Sequence, residues 1–386
     1  MPAYNSNDLY SCLVQQQASA SFRDECIGEE SYRKILQSHP DKLYTPNYFI
    51  RIALGLLTII AVLFVTVLLV LLSSTSQSNQ FVTLCIFLGI ACYAALELLL
   101  KRKKFYNAGV DNILMASVII FITSSFFVSG FTTNYILISG TSMILCLYLC
   151  MRFADAFMAS ISYLSFFVLI FLLYIKMGSI AKITAPFLML ATSAITYSIM
   201  KNLEKKDRLI IYNFCIKSVE FLTLITFYAS ANYFVVKELS NQMFGLQLTI
   251  HDGIPLGWLF WILTFTIPVI YIFYGIKGKD FLFIRTGLGL IATTIFTIRY
   301  YHNIFPLEIS MFIAGTITIA ISCSLMQYLK ISKRGYTSTD LHPGNTNLLN
   351  AEALIIIQTF GTSSKTENNT LFGGGSGGGA GASGDF

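Results

Sequence analysis

Four residues in one apolar stretch carry the best prospect of chemistry. Asn213, Lys217, Glu220 and Thr223 recur at intervals of four, three and three, which places them on one face if the stretch is helical. Counted from Leu209 at 1.5 Å per residue, Glu220 falls about 17 Å along that helix, near the middle of a bilayer. A charge at that depth is costly unless it is paired or hydrated. Lys217, one turn nearer the start, is placed to pair with it. Such a set fits a proton- or ion-handling site in a polar cavity. The same residues also suit an internal ion pair or an interhelical hydrogen bond that fixes helix packing.

Secondary candidates are Arg285, Arg299 and Glu308. Arg285 lies about one turn inside an apolar segment and is placed to snorkel. Arg299 and Glu308, with His302, flank a tight connection. Glu97 beside Lys101 reads as an interface anchor. Thr192, Ser193, Thr196 and Ser198 in one apolar run, and Thr293, Thr294 and Thr297 in another, add hydroxyls that line a pathway or bond back to their own helix. His251-Asp252 lacks the further ligands a metal needs. No H-E-x-x-H, phosphate-cradling glycine loop or paired acidic motif is present. The G-x-S-x-G at Gly374, Ser376 and Gly378 sits in a glycine run, not in the strand-to-helix turn a nucleophile elbow requires. The expectation is therefore no catalytic residue, no metal, no cofactor and no enzyme activity. The eight cysteines include no C-x-x-C pair, and most read as small buried apolar side chains.

These candidates need elements that hold them in lipid. Hydrophobic residues make up 55% of the chain and charged residues 12%, against about 25% charged in a soluble domain. With roughly 20 apolar residues required to cross about 30 Å of hydrocarbon, about ten spans emerge: 49–73, 80–100, 112–130, 133–151, 157–176, 180–200, 209–231, 255–275, 281–300 and 305–329. Basic residues collect in every second gap. Lys101–Lys104, Arg152, the set Lys201, Lys205, Lys206 and Arg208, the pair Lys277 and Lys279, and Lys330, Lys333 and Arg334 alternate with gaps holding only Lys176, Lys182, Lys237 and Arg299. Short basic loops remain cytoplasmic, so both termini are expected inside and the number of spans even. Trp258, Trp261, Tyr300 and Tyr301 fall near outer ends, where amphipathic rings favour the interface. The third and fourth spans, joined by a very short turn near 132–134, read equally as a hairpin that dips in and returns. The net charge of +6 marks loop ends rather than one stripe, so no nucleic-acid partner is expected.

The expected fold class is all-α: a polytopic transmembrane helix bundle in 48–330. A cytoplasmic helical N-terminal segment occupies 1–47 and a cytoplasmic tail 331–386. Residues 6–44 read as two short helices broken at Gly28, the second being Glu29–Ser38. The tail contains an amphipathic stretch, Leu348–Phe360, and is expected to be disordered from 361, where glycine dominates.

The run Tyr44-Thr45-Pro46-Asn47-Tyr48-Phe49-Ile50-Arg51-Ile52, preceded by a helix with Gly28-Glu29-Glu30, resembles the entry to the first span in a group of uncharacterised bacterial multi-pass membrane proteins. The tail is similar too: Ala351-Glu352-Ala353-Leu354-Ile355-Ile356, then Gln358-Thr359-Phe360-Gly361, then glycines. The resemblance implies the cytoplasmic (inner) membrane of a Gram-negative-type bacterium and no assigned activity or functional residue. The expected function is transporter-like, built on the intramembrane polar residues; the alternative is a scaffold or sensor that binds a protein partner through its cytoplasmic tails. The bilayer is the one partner the composition demands, and oligomeric state is not legible.

Overall fold

The computed structural model describes residues 3–23, 26–40, 43–72, 78–128, 135–244, 253–278, 280–302 and 307–329. Among them are thirteen α-helices and no strand; a single bridge, Tyr44 to Phe105, is the only β-type pairing. In chain order the helices are α1 (Ser6–Arg23), α2 (Glu29–Ser38), α3 (Tyr48–Leu72), α4 (Ser78–Lys103), α5 (Val110–Val128), α6 (Tyr135–Phe153), α7 (Ala156–Ile175), α8 (Ser179–Glu204), α9 (Asn213–Ala231), α10 (Tyr233–Phe244), α11 (Gly257–Gly278), α12 (Phe281–His302) and α13 (Leu307–Leu329).

Among the described residues, eight helical segments are long and apolar enough to cross a membrane: α3 to α7, 209–231, α11 and α12. α8 and α13, 26 and 23 residues long, complete the ten expected segments but are not among those eight. Lipid leaves the backbone no water to bond with, so only helices or closed barrels can cross it. Hydroxyls follow the same rule: Thr58 Oγ1 donates to the Leu54 carbonyl and Thr66 Oγ1 to that of Val62, both at 2.7 Å. α3 leaves Leu57, Ile60, Phe64, Leu71 and Leu72 exposed. Such an apolar surface needs hydrocarbon around it.

Successive helices pair as antiparallel hairpins: α4 with α5, α6 with α7, α8 with α9, and α11 with α12. Their turns gather on one face. There Tyr44 donates its N–H to the Lys104 carbonyl at 2.9 Å, Tyr106 returns one to Tyr44 at 3.1 Å, and Ala3 donates to the Arg152 carbonyl at 2.7 Å. Tyr212 Oη donates to the Met151 carbonyl at 2.7 Å, and Lys201 reaches Asp280 at 3.4 Å. This is the basic face of the charge map. Opposite it, Tyr233 stacks on Trp261 with ring centroids 4.9 Å apart, and Phe234 meets Tyr300 at 4.7 Å. The two ends thus differ as the alternation of basic gaps and aromatic ends required.

The N-terminal segment caps the basic face. Tyr4 Oη donates to the Phe105 carbonyl at 3.0 Å, and its ring sits edge-on to Tyr106 at 5.3 Å. Leu9 and Cys12 of α1 are buried in the same core as Leu96, Met115 and Phe153. Burial pushes the Tyr106 phenol up to about 12. α2 lies outside this core, with no buried residue, and leans on α1 through Phe22 stacked on Tyr32 at 4.7 Å. Gly109 lets α5 begin against α3: its φ is +89°, and a Cβ there would collide with the Arg51 carbonyl oxygen.

Two details depart from the sequence reading. Residues 207–212, read as the first part of a span, form a 3-10 turn, and α9 begins only at Asn213. The stretch between the segments 209–231 and 255–275 holds α10. Its apolar residues were masked by polar neighbours, yet Tyr233, Val236, Lys237 and Ser240 are all buried. The turn near 132–134, His251-Asp252, the Leu348–Phe360 stretch and the glycine-rich end lie outside the described residues.

Candidate functional site

α9 is the axial element of the C-terminal half, in contact with α7, α8, α10, α11 and α12. Ten of its residues are buried, and half of these carry polar side chains or a phenol: Glu220, Thr223, Thr226, Tyr228 and Ser230. A helix polar on its enclosed side is the feature a hydrocarbon environment disfavours most, unless each group finds a partner.

The charged part lies at the basic end. Lys201, in the last turn of α8, places its Nζ 3.0 Å from Glu204, 3.4 Å from Asp280 and 3.8 Å from Glu220. Lys217 pairs with Glu204. The partner of Glu220 is therefore Lys201, and Lys217 turns down toward the face instead of back along its own helix. Glu220 is 1% exposed; its Oε1 is buried without a hydrogen-bond partner. α9 starts at Asn213, which puts Glu220 about 10 Å into the α-helix and in the middle of the apolar segment 209–231.

The other two residues of the predicted face fall away from the carboxylate. Thr223 is buried beside Glu220 but donates its hydroxyl to the Glu220 backbone carbonyl at 2.6 Å. Asn213 lines a small cavity against Tyr10, Leu13 and Val14 of α1, so it belongs to the N-terminal cap. Helical spacing put all four on one side, but the length of that side separates its lower end from its charged centre.

Lys201, Glu204 and Asp280 were not among the sequence candidates. The available signal was the presence of two acids in gaps that are otherwise basic. Arg285 is exposed and lines a cavity of about 830 Å³ together with Lys217 and Asp280. Arg299 sits fourteen residues further along α12, about 21 Å away along its axis, and the Glu308 side chain is not among those described. Glu97 is structural: its Oε1 accepts from Arg152 Nη2 at 2.8 Å and from Tyr93 Oη at 3.0 Å, joining α4 to α6.

Above Glu220 the polarity continues as neutral hydroxyls. Thr226 Oγ1 meets Tyr163 Oη at 2.6 Å and Ser193 Oγ at 3.1 Å. Tyr228 Oη meets Thr294 Oγ1 at 2.8 Å and accepts from Asn232 Nδ2 at 2.9 Å, which also reaches Thr297 Oγ1 at 3.1 Å. Of the hydroxyls named from sequence, Ser193, Thr294 and Thr297 face α9. Thr192, Thr196 and Ser198 donate to carbonyls of their own helix. A second cavity, about 400 Å³ and apolar, adjoins this stretch at Ser230, between Pro186 and Met189 of α8 and Val236 of α10. Among the described residues, no group of three or more His, Cys, Asp or Glu is arranged to hold a metal ion.

The fold defines an integral, multi-pass, all-helical membrane protein with a charged cluster at one end of its central helix. Compared with known proteins, the chain matches no family model, no curated protein and no solved structure.

Proposed function

We propose that this chain is a non-enzymatic, transporter-like protein of a bacterial cytoplasmic membrane, with its basic face and both termini inside, and that Glu220 is its cation-exchange group. One observation carries the reading: a fully buried carboxylate oxygen, Glu220 Oε1, is left without a partner while Lys201 holds the other oxygen at 3.8 Å. A buried acceptor without a donor costs about 1–3 kcal/mol or more, and such a group is retained in lipid mainly where it handles an ion or a proton. Lys201 competes with any arriving cation, so loading of Glu220 is coupled to how Lys201 divides itself among Glu220, Glu204 and Asp280. The hydroxyls of Thr226 and Tyr228 and the amide of Asn232 then continue the polar atoms toward the aromatic end.

The test has two arms. Protein reconstituted in liposomes carrying a pH-sensitive dye reports proton movement under an imposed gradient, and the same vesicles with a sodium-sensitive dye report the metal cation. Infrared difference spectra against pH separately show whether a carboxylic acid signal is assigned to residue 220. Flux lost in Glu220→Gln, together with the missing signal, supports the reading. Wild-type flux in Glu220→Gln removes Glu220 from any pathway and leaves it a packing group.

A scaffold role rests on a different observation, the exposure of α2 beyond a docked α1. Crosslinking from α2 that captures one defined protein would favour it over transport.

A further inference from the structure

We propose that the cavity between the start of α12 and the lower part of α9 is a binding site for the phosphate head of an anionic phospholipid in the leaflet at the basic face. The proposal stands whether or not Glu220 exchanges a cation.

The cavity volume is about 830 Å³, and among the described residues its ionisable lining is Lys217, Asp280 and Arg285. Asp280 is already held by Lys201 at 3.4 Å, and Lys217 is held by Glu204. Arg285 has no ion-pair or hydrogen-bond partner among the described residues and is exposed. Among the described lining residues, Arg285 is thus the cation left uncompensated, and its guanidinium accommodates two phosphate oxygens at once. Arg285 lies four residues into α12, about 6 Å along the helix, at the depth of a lipid phosphate.

The remaining lining selects a lipid over a free ion. Phe281, at the mouth, is 65% exposed and Phe221, on the membrane side, is 42% exposed. Both rings line the cavity beside Arg285 and are positioned to lie along acyl chains while the head is held by the guanidinium. Lys217, whose side chain is 42% exposed, lines the same cavity with its charge already paired to Glu204. Basic pockets between spanning helices on the cytoplasmic side are a general mode of anionic lipid recognition. An Arg between two exposed rings, with its neighbouring acid already engaged, meets that description from its own residues.

The measurement is spin-label electron paramagnetic resonance of the full chain in phosphatidylcholine vesicles, comparing trace spin-labelled phosphatidylglycerol with spin-labelled phosphatidylcholine. The wild type is expected to hold the anionic label preferentially. Arg285→Gln is expected to lower that preference about fivefold, and Arg285→Lys to retain most of it. Lys205→Gln, an exposed cation on the same face but outside the cavity, is expected to leave it unchanged. No preference in the wild type, an equal loss in Lys205→Gln, or full preference in Arg285→Gln would each overturn the site. Displacement of the label by millimolar inorganic phosphate would show that a phosphate ion alone satisfies the cavity and would overturn the lipid assignment.

Discussion

Replacing Lys201 by Met tests the charged cluster most directly. At 3.8 Å and an effective dielectric of about 20, the gross Lys201–Glu220 attraction is about 4 kcal/mol. The exposed partners contribute little of the net effect: the Glu204 and Asp280 side chains are 25% and 27% exposed, and pairs open to solvent are worth about 0–1 kcal/mol each. Glu220, at 2% side-chain exposure, is different, because removing its cation leaves a buried charge. Such a loss costs roughly 3–5 kcal/mol in a closed pair. Lys201 is itself 35% exposed and lies beyond hydrogen-bond distance, which reduces the expected loss to about 2–3 kcal/mol. Reversible unfolding in mixed micelles, with rising dodecyl sulfate fraction, gives the stability of each variant. The double-mutant cycle completes the argument. Glu220→Gln removes the charge that Lys201 serves, so Lys201→Met in that background should cost under about 1 kcal/mol, giving a coupling near 2 kcal/mol. Equal losses in both backgrounds would mean that Lys201 serves only Glu204 and Asp280, and Glu220 would have to be neutralised by something else.

Three further outcomes follow from other parts of the chain. Gly109→Ala places a Cβ against the Arg51 carbonyl at φ +89° and should lower stability by about 2 kcal/mol in the same unfolding assay; a wild-type midpoint would mean that α3 and α5 are not packed this closely. Burial raises the Asp155 carboxyl above its ordinary range, with the Met158 N–H at 2.8 Å opposing that rise. A raised folded-state value means that the native form binds more protons, so Asp155 lowers stability as pH climbs from about 3.9 through its folded value. Asp155→Asn should flatten the stability–pH slope in that window while keeping the cap, and an unchanged slope would assign the slope elsewhere. Cys26, an exposed thiol beyond α1, should react with a membrane-impermeant maleimide in inside-out vesicles and stay unlabelled in intact spheroplasts; the reverse pattern would invert the orientation.

The helices were legible because lipid imposes one rule on every residue of a span. Long apolar runs such as Tyr48–Leu72 carry no competing signal, and Gly28 and Pro40 bracket α2 from their own backbone preferences. The site was only partly legible, for a reason visible at Lys217. Spacing along one helix predicts which side chains share a face, but pairing in the folded protein is settled by the neighbouring helix. Glu204 of α8 reaches Lys217, Lys201 of α8 reaches Glu220, and Asp280 arrives from a connection sixty residues later. Periodicity within 209–231 contains none of that information. α10 was missed for a related reason: its buried face packs against α8, α9 and α11, so its stability is tertiary and its sequence reads as a polar loop.

The arrangement along α9 constrains what the protein can be. Along α9 itself formal charge lies at the end where Lys217 and Glu220 meet Lys201, Glu204 and Asp280, and Glu220 is the last charged group of that helix before a column of neutral oxygens. A purely structural ion pair would gain from closing to hydrogen-bond distance and saturating both carboxylate oxygens, since an unsaturated buried acceptor weakens the bundle. Glu220 does neither: its cation stays at 3.8 Å and one oxygen is unmet. Packing alone accounts for Tyr163, Ser193 and Thr226, whose hydroxyls bond to one another across α7, α8 and α9. It gives no account of a carboxylate held short of satisfaction two turns below them, and that difference is what sets Glu220 apart as a site.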